Sequence, residues 1–206
     1  MKRNVRSVLI LSLACAALAA LPNLAQAQKI DIAFGLSTID APGASAAGSN
    51  GNHFPQSLTG GAYPGFSGDV LFWHNLGFGA EVFWRGAQSG NFQESGLNFR
   101  PVFYNFNAVY SAKLAPHIAA ELDGGIGALD THILGCNPIT PNLCTGSVLY
   151  GTSTHFDADF GGGLKLYVAK GFFIRPEARF YIINNNADYS SNHASRIGAS
   201  IGYTFK

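Results

Sequence analysis

The chain has 206 residues, of which 12% are charged and 47% hydrophobic, with 13 basic and 12 acidic side chains. Charge this sparse and balanced gives no basic field for nucleic acid. The length suits one domain, and after the N-terminal segment no apolar run reaches the ~20 residues of a membrane-crossing helix. Low charge without such a helix leaves two classes, a soluble β-sandwich or a transmembrane β-barrel.

Residues 1–27 have the layout of a secretory signal. Lys2, Arg3 and Arg6 precede an apolar run from Val8 to Leu21, and Ala25-Gln26-Ala27 places small residues at the −3 and −1 positions of a cleavage site. Cleavage is expected between Ala27 and Gln28. Cys15 could be read as a lipid-attachment cysteine, but Ser12 stands where such a site requires Leu. Loss of the three leader cations leaves 10 basic and 12 acidic residues, a net charge of −2 for residues 28–206.

Period-two alternation then recurs eight times. Ile30, Ile32, Phe34 and Leu36 share one face of the first segment, and Phe66, Val70 and Phe72 one face of the second. Leu76, Phe78, Ala80, Val82 and Trp84 alternate with Gly77, Gly79, Glu81 and Arg85 in the third; Val102, Tyr104, Phe106, Ala108 and Tyr110 define the fourth. In the fifth, Ile118 to Ala128 alternate with Glu121, Asp123, Gly125 and Gly127. In the sixth, Phe156 to Leu166 alternate with Asp157, Asp159, Gly161, Gly163 and Lys165. Ile174 to Ile182 alternate with Arg175, Glu177 and Arg179, and Ile197 to Phe205 with Arg196, Gly198, Ser200 and Gly202. Each segment is close to the ~9–11 residues that cross a bilayer at a tilt.

The connections sort by parity. Short turns are expected at His74-Asn75, Ala112 to Pro116 and Ala169 to Gly171, and long loops at residues 39–61, 86–97, 130–153 and 183–192. A sandwich has no reason to sort its loops this way; an outer-membrane barrel has tight periplasmic turns and long outer loops. Trp84, Tyr104, Tyr110, Phe172 and Tyr203 lie on the apolar face near strand ends, where amphipathic rings suit the membrane interfaces. The fold predicted is all-β: an eight-stranded antiparallel up-and-down transmembrane β-barrel.

With its leader, eight alternating segments and the closing Ile201-Gly202-Tyr203-Thr204-Phe205, the chain resembles the outer-membrane β-barrel family that looks like the membrane domain of OmpA. Lys206 departs from the family pattern, in which the aromatic is last. The resemblance implies a location in the outer membrane, lipid and lipopolysaccharide as surroundings, insertion by the barrel-assembly machinery and a monomeric state. The peptidoglycan-anchoring domain of full OmpA proteins is not expected after the eighth strand.

Three groups of residues are candidates for chemistry. Glu81, Arg85, Glu121, Asp123, Asp157, Asp159, Lys165, Arg175, Glu177, Arg179 and Arg196 share the inward parity. An eight-stranded barrel is only wide enough to be filled by side chains, so these charges are expected to pair as a register-fixing plug, with a narrow ion path as the alternative. Cys136 and Cys144 read as a disulfide closing a small loop, since the export route is oxidising. His193-Ala194-Ser195 resembles the His-x-Ser pair of outer-membrane lipid A 3-O-deacylases. Here Arg196 replaces the Asn that follows Ser in that family, and no acid lies downstream to orient the His. The remaining histidines have no metal-ligand spacing and no phosphate loop is present, so neither cofactor nor metal is expected. The function expected is a non-enzymatic envelope component, with a small-solute channel next and a lipid-modifying enzyme third.

Overall fold

The alternation becomes a closed wall. In the computed structural model, which describes residues 29–42, 57–92, 97–140, 143–184 and 188–205, the strands are β1 (Lys29–Asp40), β2 (Tyr63–Trp73), β3 (Leu76–Trp84), β4 (Ser89–Phe92), β5 (Leu97–Ala115), β6 (Ile118–Thr140), β7 (Leu143–Tyr167), β8 (Phe172–Ile183) and β9 (His193–Phe205). Every pairing is antiparallel between neighbours. β3 pairs with β5 and β1 with β9, which closes eight strands into a ring and leaves β4 as a short flank on β5. Closure leaves the ring no edge to hydrogen-bond with lipid, which offers no partners. The expected signal segment, with the expected cleavage site at Ala27 and Gln28, lies outside the described residues.

The register fixes the tilt. Ile30 pairs with Val70, and the ladder continues through Phe78, Ala108, Gly124, Phe160, Phe180 and Ser195 back to β1 at Asp40, ten residues from its start. Such a stagger goes with strands inclined at roughly 35–45° to the barrel axis.

The two faces are opposite solvents. Along β5, Phe106 is 70% exposed while Asn105 and Asn107 on either side are 1% and 5% exposed. Phe34, Leu36, Phe66, Phe78, Leu122, Phe160 and Ile201 continue this outward apolar girdle around the ring. An apolar surface of that extent is compatible only with lipid. Tyr110 and Phe172 are also exposed, and Tyr203 packs against Phe172 and Phe205 at ring distances of 4.8 and 4.7 Å. Gly residues on the inner face make room for the polar filling: a Cβ on Gly127 would lie 2.5 Å from Asn105 Nδ2, and one on Gly163 2.9 Å from Arg175 Cγ.

His74 and Asn75, with φ of 46° and 68°, form the tight β2–β3 turn, in the left-handed geometry that two-residue hairpins demand. Two connections differ from expectation. Residues 86–97 contain β4, and residues 130–153 are largely the outer halves of β6 and β7, paired from Asp130↔Thr154 to Cys136↔Ser147 with a bulge near Tyr150. The ladder satisfies the backbone there although Gly, Pro, Thr and Asn break the alternation that identifies the other strands. Because β8 ends at Ile183, this hairpin stands above its neighbour on that side.

Candidate functional site

The interior is filled by a ladder of charges organised around four cations. Nearest the periplasmic end, Lys165 bonds Asp31 and Glu121 and stands 3.8 Å from Asp69. Arg175 bonds Glu121 too, and reaches Asp69 at 3.4 Å, Glu177 at 2.8 Å, and the hydroxyls of Ser200 and Ser67 at 3.1 and 2.8 Å. Arg179 bonds Asp159 and lies 2.8 Å from Asp123 and 3.3 Å from Glu81. Arg196 meets Glu81 at 2.9 Å and Glu177 at 3.4 Å. The alternation of β8 is what builds this: Arg175, Glu177, Arg179 and Tyr181 occupy successive inward positions and feed one continuous network.

Of the eleven expected lumen residues, ten lie in or against this network, and Arg85 does not. It points inward but donates to the carbonyls of Leu58, Thr59 and Gly60 at 3.3, 2.8 and 2.9 Å, fastening the β1–β2 connection across the outer mouth. Asp157 is fully buried, yet its contact is the Asn105 amide at 2.5 Å and no cation is within ion-pair distance among the described residues. Asn105 also bonds Asp159 at 2.9 Å. Asp31 and Asp69 belong to the network although the sequence-based set leaves them out; their odd positions between outward Ile30, Ile32 and Val70 carry the signal. Asn105 and Asn107 escape the same reading because amides carry no charge to attract notice.

Above the charges the lumen turns aromatic. Tyr63, Phe99, Phe103 and Tyr181 fill the bore with Ile39, Leu129 and Ile183, and Phe103 stacks on Tyr181 at 4.8 Å. Leu58 and Tyr189, from the two outer connections, complete this seal and are 1% and 3% exposed. Tyr189 shares a hydrogen bond with Thr131, and burial pushes its hydroxyl well above the ordinary range, so it remains neutral. At the opposite end a cavity of about 380 Å³ opens to the periplasmic side between Lys29, Asp31, Lys113, His117, Tyr167 and Lys170. The lumen is thus accessible from one end and closed at the other.

Two further groups bear on catalysis. His193 and Ser195 share the outward side of β9, as the deacylase resemblance requires, but the side-chain partners of His193 Nδ1 are Asn192 at 3.0 Å and Ser191 at 3.3 Å, with no carboxylate among the described residues to orient it. Ser153, His155 and Asp188 meet at the outer rim, with Ser153 Oγ 3.2 Å from His155 Nε2 and Asp188 Oδ2 3.0 Å from the same nitrogen. A hydrolytic triad needs its acid on Nδ1, which here faces the Asn184 carbonyl at 3.1 Å. Asp188 therefore does not stand where a hydrolytic triad places its acid. The side chains of Cys136 and Cys144 lie outside the described residues; their backbones sit on the paired outer halves of β6 and β7, with Pro138 opposite Cys144.

No protein-family model and no curated protein matches the sequence. Solved structures do match in fold. Neisserial surface protein A superposes with a TM-score of 0.57 at 10% identity, covering 86% of this chain and 97% of that one. A major outer membrane protein of Thermus thermophilus gives 0.56 at 11% identity over 87% and 100%. The N-terminal β-barrel domain of Pseudomonas aeruginosa OprF gives 0.51 at 12% identity over 86% and 97%. With its lipid-facing girdle, closed ring and polar filling, this chain has the fold of the eight-stranded outer-membrane β-barrels and resides in the outer membrane.

Proposed function

We propose that the protein is a non-enzymatic envelope component whose barrel is a sealed anchor for its outer surface, not an open pore. The observation that carries this reading is the filled bore: four buried cations tie seven carboxylates from six strands together, and an aromatic layer covers them on the outer side. Ion pairs held in so narrow a space fix strand register and narrow the water path, which the aromatic layer above them closes. Among the described residues, the projecting β6–β7 hairpin, with exposed Val148, Leu149 and Tyr150, is available to the exterior.

Planar-bilayer recording on the refolded barrel tests this. A silent membrane, with insertion verified by protease protection, is the expected result. Regular single-channel steps from wild-type protein would overturn it in favour of a channel. That second reading draws on the periplasmic cavity, which has Asp31 of the charge ladder in its lining.

A further inference from the structure

We propose that the periplasmic mouth of the barrel is a binding pocket for a small organic anion, a soluble molecule carrying a phosphate or carboxylate group. The cavity there, of about 380 Å³, has the scale of small-molecule sites. It exists because the last inward positions of the wall carry short side chains. Ser111 on β5, Ala119 on β6 and Thr204 on β9 leave the end of the bore unfilled.

The cations at this mouth lack counter-charges. Lys29 shares the inward parity of Asp31, and Lys113 that of Val109 and Ser111, so both face the cavity and not the lipid. Lys170 joins them from the β7–β8 connection. Among the described residues no carboxylate stands within ion-pair distance of any of the three, whereas the four cations of the ladder are all paired. Asp31, the one acid in the lining, faces Lys165. A cleft lined by one sign of charge between low-dielectric walls focuses its field and concentrates the opposite ion. An anion in this mouth relieves the repulsion among the three ammonium groups. The hydroxyls of Ser111, Tyr167 and Thr204 lie in the same lining as further donors. Lysine is a point charge that takes phosphate and carboxylate alike. Leu71 and Ala119, 3% and 7% exposed, offer an apolar wall to the body of the ligand.

The rim is fastened before any ligand arrives. The carbonyls of Asn75, His117 and Gly171, each in a different periplasmic turn, accept from the backbone N–H groups of Ser111, Tyr167 and Thr204 at 2.9, 2.8 and 2.8 Å. All six residues line the cavity. Gly171 has a φ of 80°, and a Cβ there would lie 2.6 Å from the Tyr203 ring, so the turn that carries Lys170 requires glycine. A mouth already in its bound shape loses little freedom on binding. The ligand enters and leaves on the periplasmic side, whether or not the bore conducts.

The test uses the mature barrel, isotope-labelled, refolded in an uncharged maltoside detergent at low salt and verified as folded by its heat-dependent gel mobility. Titration with phenyl phosphate should shift the amide resonances of Ser111, Ala119, Gly171 and Thr204 saturably, and inorganic phosphate should act at the same positions more weakly. Added salt should weaken both. The double variant Lys29→Gln with Lys113→Gln takes nothing from the ladder and should fold normally, with binding weakened by about tenfold. Arg100→Gln, at the opposite end of β5, should bind as wild type. Absence of saturable shifts in folded wild-type protein would overturn the proposal, and so would an affinity that neither salt nor the double variant moves. The same shifts appearing without added anion in phosphatidylglycerol nanodiscs, and not in phosphatidylcholine ones, would overturn it too, by making a membrane lipid the occupant.

Discussion

The guanidinium of Arg196 lies 3.6 Å over the ring of Phe83, with its Nη2 2.9 Å from Glu81. This one side chain joins the two halves of the interior, taking charge compensation from Glu81 and Glu177 and π-face contact from Phe83 and from Tyr181 of the aromatic seal, at 5.7 Å. Cation–π attraction strengthens when the cation is desolvated, and Arg196 is 1% exposed. Arg196→Met should destabilise the barrel by about 3–5 kcal/mol, because it strands Glu81 and Glu177 in part. Urea unfolding in detergent, followed by tryptophan fluorescence, measures this; a loss below about 1 kcal/mol would show that the network is not coupled to the fold.

Asp157 and Asp159 are two residues apart on the same face and should respond differently. Asp159 meets Arg179, so Asp159→Asn removes an ionic partner and is expected to destabilise by about 1–3 kcal/mol. Asp157 has an amide for company and no cation among the described residues, so Asp157→Asn removes a buried charge and should be neutral or stabilising. Equal losses in the two unfolding curves would contradict the geometry.

Opening the seal should open the pore. The double variant Phe103→Ala with Tyr189→Ala removes the stacked ring over Tyr181 and the plug from the outer connection. Each truncation is expected to lower stability by about 3–5 kcal/mol. The informative readout is conductance: the double variant should pass current where wild type is silent, and continued silence would place the barrier lower, in the ion pairs.

The girdle offers a control for orientation. Phe106→Arg, at a position 70% exposed on the lipid side, should cost about 2–4 kcal/mol when the barrel is folded into lipid vesicles. Folding yield and urea midpoint in vesicles of differing thickness measure the cost, and a variant as stable as wild type in all of them would take Phe106 out of the hydrocarbon.

Processing makes two covalent predictions. Amino-terminal sequencing of protein from the outer-membrane fraction should begin at Gln28, and the intact mass should be lower by two hydrogens than the thiol form, for a Cys136–Cys144 disulfide. Free thiols on the exported protein would remove the proposed staple from the β6–β7 hairpin.

The barrel is legible because lipid and lumen impose opposite chemistry on successive residues; Phe106 between Asn105 and Asn107 is that rule in three letters. Parity alone also places Glu81, Lys165, Arg175 and Arg196 inside. What parity does not carry is distance along and across the bore. It groups Arg85 with the carboxylates, whereas its height beyond β3 sets it beside the carbonyls of Leu58, Thr59 and Gly60. The pairing of Lys165 with Asp31, 134 residues apart, comes from ring closure and has no local trace. The Ser153–His155–Asp188 group is equally hidden, since its acid is on another connection, 33 residues from the histidine. The outer halves of β6 and β7 read as loop because their composition is that of turns, while their conformation is set by the partner strand.

The ten-residue return of the ladder from Ile30 to Asp40 has a consequence for how this chain can change length. An even offset lets inward positions meet inward positions at the β1–β9 seam. A single-residue deletion within any wall strand would make it odd and turn every residue beyond the gap inside out, exchanging carboxylates for phenylalanines at the lipid boundary. Length changes that leave the wall intact should therefore come in pairs, at bulges such as that at Tyr150, or in the outer connections, where length can change without touching the wall.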